Sequence, residues 1–142
     1  MRQHVNRLSQ FFQLPLSLPG KSFLFKNSHY PIHLDIGSAK GEFLIELASK
    51  NPEWNFLGLE IREALVSSSE RKRKTLELQN LIFLFCYVNI SLDEWLSDLD
   101  SNQLKRVSIQ FPDPWFKRKH FKRRVLKLSL LNSIARYMSK DG

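Results

Sequence analysis

Short apolar runs that end on a glycine or a polar side chain alternate with longer stretches of helical period along most of this 142-residue chain. The first run, IHLDIG (Ile32 to Gly37), is followed by AKGEFLIELASK, in which Phe43, Leu44, Leu47 and Ala48 share one helical face. That helix should stop at Asn51-Pro52, because proline disfavours helical geometry in the residue before it. WNFLGLE (Trp54 to Glu60) reads as a second strand, Arg62 to Leu78 as a second helix, and NLIFLFCYVN as a third strand ending at Asn89. A short helical segment near Asp93 to Leu99 precedes a fourth strand, KRVSIQF (Lys105 to Phe111). Val125, Leu128, Leu131, Ala135 and Met138 then mark a helix from about Arg124 to Ser139. Apolar strands alternating with helices predict an α/β fold, a parallel sheet covered on both faces. Residues 1–30 read as an N-terminal arm and 31–142 as the folded domain. The final SKDG follows a helix with no further strand, so the chain is expected to be cut short, with the fourth strand at a sheet edge.

Lys and Arg outnumber Asp and Glu by 22 to 14, for a formal charge of +8, which favours a polyanionic partner; nucleic acid fits better than a membrane. The longest apolar run, Leu81 to Val88, is far short of the roughly 20 residues a membrane helix needs. The start, MRQHVNRLSQFFQ, lacks the pattern of a secretory signal. The single cysteine, Cys86, lies in an apolar run and fits a reducing, cytoplasmic setting. The four histidines show no metal-ligand spacing, so no metal is expected.

Ligands of open α/β sheets bind beyond the carboxyl ends of the strands. Asp35 and Gly37 close the first strand, Glu60 the second and Asn89 the third, and Asp113 follows the fourth. In DIGSAKG, Gly37 permits a tight turn and Gly41 a close helix-to-strand approach, yet the spacing is not the dinucleotide G-x-G-x-x-G: Ala39 takes the middle place and Gly41 comes one residue early. Glu60 has the position of an acid that accepts from both hydroxyls of a ribose, and also that of a solvated strand end. Asn89 suits an adenine edge or an Asx-turn. Pro112 and Pro114 fix the backbone on either side of Asp113, and seven basic residues follow within the eleven positions 117–127, interleaved with Phe116, His120 and Phe121. No acid occurs from Pro114 to Lys140, which favours phosphate binding over a mixed solvated face. A second basic run, Arg71 to Lys74, either extends that patch or is an ordinary exposed helix face.

Taken together, LDIGSAKGEFL, NFLGLEIR and QFPDPWFKRKHFKRR, in this order and spacing, resemble the tRNA (guanine-N7)-methyltransferase family from about Ile32 to Gly142. The resemblance implies the Rossmann-like class I methyltransferase fold with its later strands missing, and S-adenosylmethionine as cofactor. It implies a cofactor site of Asp35, Gly37, Gly41, Glu60, Asn89 and Asp113, with Asp113 also the active-site acid. Lys117, Lys119, His120, Lys122, Arg123 and Arg124 are implied to contact tRNA, whose target guanine lies in the variable loop. A monomer or homodimer acting in the cytoplasm is expected. Ala39 and Asn89 depart from the glycine and aspartate found in many relatives. Three other readings compete with it: an amino-group methyltransferase, disfavoured because Asp113-Pro114-Trp115 lacks a second proline; a shortened relative that holds tRNA with little or no turnover; and a nicotinamide oxidoreductase, disfavoured by the glycine spacing.

Overall fold

The computed structural model describes residues 18–86, 88–109 and 128–142, with the backbone alone at 88–91. The single-turn helix α1 (Lys21–Leu24) precedes β1 (Ile32–Ile36), α2 (Glu42–Lys50), β2 (Asn55–Glu60), α3 (Glu63–Thr75) and β3 (Leu81–Phe85). α4 (Val88–Ser97), β4 (Leu104–Ile109) and α5 (Leu128–Tyr137) follow. The four strands form one sheet in the order β3-β2-β1-β4, and each neighbouring pair is parallel. Reversal of strand order beside β1 creates the topological switch point at which such sheets hold ligands.

Burial follows from this order. Every residue of the central strands β1 and β2 is buried, which explains their almost continuous apolar sequence, whereas the outer strands are only partly covered. On one face Ile32, Leu34, Ile36, Leu57 and Leu59 pack with Leu92, Trp95 and Leu96 of α4 and Leu130 and Ile134 of α5. On the other, Leu44 and Ala48 of α2 meet Phe56, Leu81 and Phe83, with Val66 of α3 at the margin.

The described residues before β1, 18–31, join the body. Phe25 enters the first core, Trp95 Nε1 donates to the Pro19 carbonyl (2.9 Å), and Asn55 Nδ2 donates to the Asn27 carbonyl (2.7 Å). Gln103 Nε2 donates to the carbonyls of Ser28 and Tyr30 while its Oε1 accepts from Lys21 Nζ and the Asp100 amide.

One boundary differs from the sequence expectation. β3 ends at Phe85, and Asn89 stands in the first turn of α4 instead of closing the strand. An apolar run does not by itself distinguish strand from buried helix, and here Leu92, Trp95 and Leu96 pull the backbone into a helix that packs on the sheet. The helix expected from about Arg124 to Ser139 is present from Leu128 to Tyr137, its expected first residues, 124–127, lying outside the described residues. β4 also carries an irregularity: Ile32 pairs with Leu104 but His33 pairs with Arg106, leaving Lys105 as an extra residue.

Candidate functional site

Both central strands carry an acid near their carboxyl ends. Asp35 is the fourth residue of β1 and fully buried; Glu60 is the last of β2 and only 4% exposed. Between β1 and α2 the chain folds back over β2. The amides of Gly37 and Ser38 both donate to the Leu59 carbonyl (2.8 and 3.1 Å), and the Gly41 amide donates to the Ser38 carbonyl (2.9 Å). The turn is tight enough that residues 37, 39 and 41 all have left-handed backbone, with φ of 76°, 50° and 76°. A Cβ on Gly41 would lie 2.6 Å from Phe83 Cζ and 2.8 Å from Ser69 Oγ, so this glycine lets helix, loop and sheet close together, as its spacing predicted. Ala39 occupies the same left-handed region without a glycine's freedom.

Glu60 ties that loop to the start of α3. Its Oε2 accepts from the Ala39 amide (3.0 Å) and Arg62 Nη2 (3.3 Å); its Oε1 accepts from the Ile61 and Arg62 amides (3.1 and 3.2 Å) and Arg62 Nε (3.0 Å). Five donors therefore converge on a carboxylate with about four lone-pair directions, so a buried acid is held in one orientation. Arg62 closes the motif NFLGLEIR, but the sequence alone assigns it no role; its contact with Glu60 follows from its place two residues beyond that acid, at the entry to a helix.

Asp35 has a different setting. Ser108 of β4 stands opposite it in register, and its hydroxyl donates to Asp35 Oδ1 at 2.5 Å. The same Ser108 oxygen lies 2.9 Å from His33 Nε2. His33 is covered by the sheet and by the rings of Phe43 and Phe56, at centroid distances of 6.0 and 5.6 Å. Burial first, and the Arg106 charge second, lower its pKa from 6.5 to about 4. His33 is therefore neutral near pH 7.

Of the expected site residues, the structure brings Asp35, Gly37, Gly41 and Glu60 together at the ends of the two central strands. Asn89 is displaced into α4. Asp113, Lys117, Lys119, His120, Lys122, Arg123 and Arg124 lie outside the described residues. The second basic run, Arg71 to Lys74, lies on α3, while the basic strip 117–127 that it was expected either to extend or to stand apart from lies outside the described residues. α3 starts at the strand ends that carry Glu60 and runs back along the sheet, so Arg71 to Lys74 lie about 12 to 17 Å down the helix axis from its first residue. Arg73 is also engaged by Glu70. Among the described residues, no three His, Cys, Asp or Glu side chains group as a metal site, and no helix is long and apolar enough to cross a membrane.

A protein family described as "Putative methyltransferase" matches residues 29–142. The chain belongs to this methyltransferase family. The resemblance drawn from the motifs is borne out by its relatives. The tRNA (guanine-N(7)-)-methyltransferase of Prochlorococcus marinus (strain NATL1A) is 80% identical over all 142 residues, and that of strain MIT 9313 is 62% identical over 135. The chain spans 66% of the first of these proteins and 57% of the second. Among solved structures, a SAM-dependent methyltransferase from Aquifex aeolicus aligns over 85% of the chain and 62% of its own length, with TM-score 0.55 and 18% identity. Precorrin-6y C5,15-methyltransferase from Geobacter metallireducens aligns over 80% of this chain and 51% of its own, with TM-score 0.58 and 15% identity. These likenesses establish the Rossmann-like class I methyltransferase fold, and the expected cofactor, S-adenosylmethionine, goes with that family and fold. The residues present suit such a ligand. Two buried carboxylates on adjacent strands, under a loop of left-handed turns, can accept from hydroxyl and amine donors.

Proposed function

We propose that this methyltransferase transfers a methyl group from S-adenosylmethionine to N7 of a guanine in tRNA, the guanine of the variable loop at position 46. The observation that carries this reading is the 80% identity, along every residue of the chain, to a protein named tRNA (guanine-N(7)-)-methyltransferase.

The residues at the strand ends supply a rationale for cofactor holding. Glu60 would accept from the ribose hydroxyls, and Asp35 would form the floor of the pocket toward the amino-acid part. Because the Glu60 lone pairs are already engaged, a ribose diol takes over those now used by the Arg62 guanidinium, while the backbone amides of Ala39, Ile61 and Arg62 keep the carboxylate in place. When bound, S-adenosylmethionine supplies an electrophilic methyl group on a sulfonium. Guanine N7 carries an in-plane lone pair and is unprotonated at neutral pH, so the chain needs no general base for the attack. Its work is alignment and exclusion of water. Asp113 would hold the guanine through its N1 and exocyclic amino donors and offset the positive charge that methylation creates. Lys117 and the run Lys119 to Arg124 would bind the phosphate backbone, which leaves the acid facing base and cofactor.

The test is incubation with methyl-labelled S-adenosylmethionine and unmodified tRNA, followed by digestion to nucleosides. Labelled 7-methylguanosine is expected from this sequence, supplied alone or within a chain of its relatives' length. A different methylated nucleoside from the longer chain would contradict the reading, and tRNA binding without turnover by the shorter one would assign it a holding role only.

A further inference from the structure

We propose that Ser108 and His33 are positioning residues for the cofactor, acting through Asp35; this rests on the reading of Asp35 as part of the S-adenosylmethionine site. The three side chains form one hydrogen-bonded line across two strands. Ser108 has a single hydroxyl proton, and it goes to Asp35 Oδ1 at 2.5 Å. The Ser108 oxygen can then only accept from His33, 2.9 Å away, so His33 carries its proton on Nε2. Neutral at physiological pH, and wedged between Phe43 and Phe56, the imidazole has little freedom to turn and so fixes the Ser108 rotamer. Ser108 in turn sets the plane of the buried carboxylate.

The line exists because of an irregularity in β4. Lys105 is the extra residue that moves the β1–β4 pairing by one, from Ile32 opposite Leu104 to His33 opposite Arg106. Since strand side chains alternate faces, a slip of one would turn Ser108 away from Asp35 and bring an apolar neighbour to it. Lys105 is itself anchored: its Nζ meets Asp141 Oδ1 at 2.7 Å and Ser139 Oγ at 3.1 Å, and the Ser139 amide donates to the Leu104 carbonyl. The end of the described chain thereby holds the register that places a hydroxyl beside the cofactor acid. Neither His33 nor Ser108 lies within the three motifs that carry the resemblance.

The experiment is titration of S-adenosylhomocysteine into the 142-residue chain and its variants by calorimetry, with methyl transfer kinetics on tRNA where turnover is measurable. Ser108→Ala should weaken S-adenosylhomocysteine binding about tenfold, the size expected for a hydrogen bond to a charged group. Ser108→Thr, which keeps the hydroxyl on a strand, should restore most of it. The KM for S-adenosylmethionine should rise with little change in kcat, and tRNA affinity should not move. Ser108→Ala binding as tightly as the wild type overturns the proposal while leaving the function standing. Loss that Ser108→Thr does not rescue, or loss of tRNA affinity in parallel, also overturns it by showing a merely structural role. A wild-type chain that binds no S-adenosylhomocysteine removes the cofactor reading and the proposal together.

Discussion

Ala39 is the residue at which local strain and function meet. Its backbone is left-handed, a conformation that costs a side-chain-bearing residue about 1 to 2 kcal/mol, while its amide is one of the donors that fix Glu60. Ala39→Gly removes that strain but enlarges the unfolded ensemble, so a net gain of about 0.5 kcal/mol is expected in denaturant melts. A loss of stability would show that the methyl group packs usefully. His33 makes a second prediction. Its folded pKa, about 4, lies below the ordinary 6.5, so between those values the unfolded chain binds more protons. Stability should thus be complete above pH 6.5 and fall as pH drops toward 4, and His33→Gln should flatten that slope. Below it a different group takes over: Asp141, held down to about 2 chiefly by its Lys105 hydrogen bond, contributes stability that is lost as pH falls from 3.8 toward 2. Motif spacing made Asp35, Gly37 and Glu60 legible as residues that meet at the ends of the central strands, where a ligand is proposed to bind. It did not reveal Arg62 or Ser108, because their roles depend on a helix entry and on strand pairing that no local pattern encodes.

At the scale of the element, the β1–α2 loop is the part whose geometry the fold can least change. Gly41→Ala places a methyl 2.6 Å from Phe83 in a left-handed turn, and both neighbours are locked: Phe83 in the core, Ser69 buried beneath the loop. A destabilisation of about 2 to 4 kcal/mol is expected by urea unfolding, from overpacking and backbone strain combined. An effect under 1 kcal/mol would mean that α2 shifts freely on the sheet. Gln103 makes the matching case at the other end of the strands. It joins the segment before β1 to the turn before β4 through four hydrogen bonds, so Gln103→Ala should cost about 2 to 4 kcal/mol by leaving buried groups unmatched. Helix and strand periods identified the main elements correctly. The boundary at β3 and α4 escaped because Leu81 to Ile90 is apolar almost without interruption, and only the packing of Leu92, Trp95 and Leu96 decides where strand stops.

For the whole molecule, topology makes the site. Reversal of strand order beside β1 places two acid-bearing strands next to each other and leaves β4 to reach across with Ser108. The basic run of α3 lies about 12 to 17 Å down that helix from its first residue, and the positive charge proposed to meet RNA is that of Lys117 to Arg124. The central claim, that the ends of β1 and β2 hold S-adenosylmethionine, is met most directly by titrating S-adenosylhomocysteine into the wild-type chain and into Glu60→Gln, with thermal melts to show that both are folded. The account predicts saturable one-to-one binding by the wild type and a loss of at least about tenfold for Glu60→Gln, the scale of hydrogen bonds to a charged acceptor. Equal affinity in two folded proteins would contradict it.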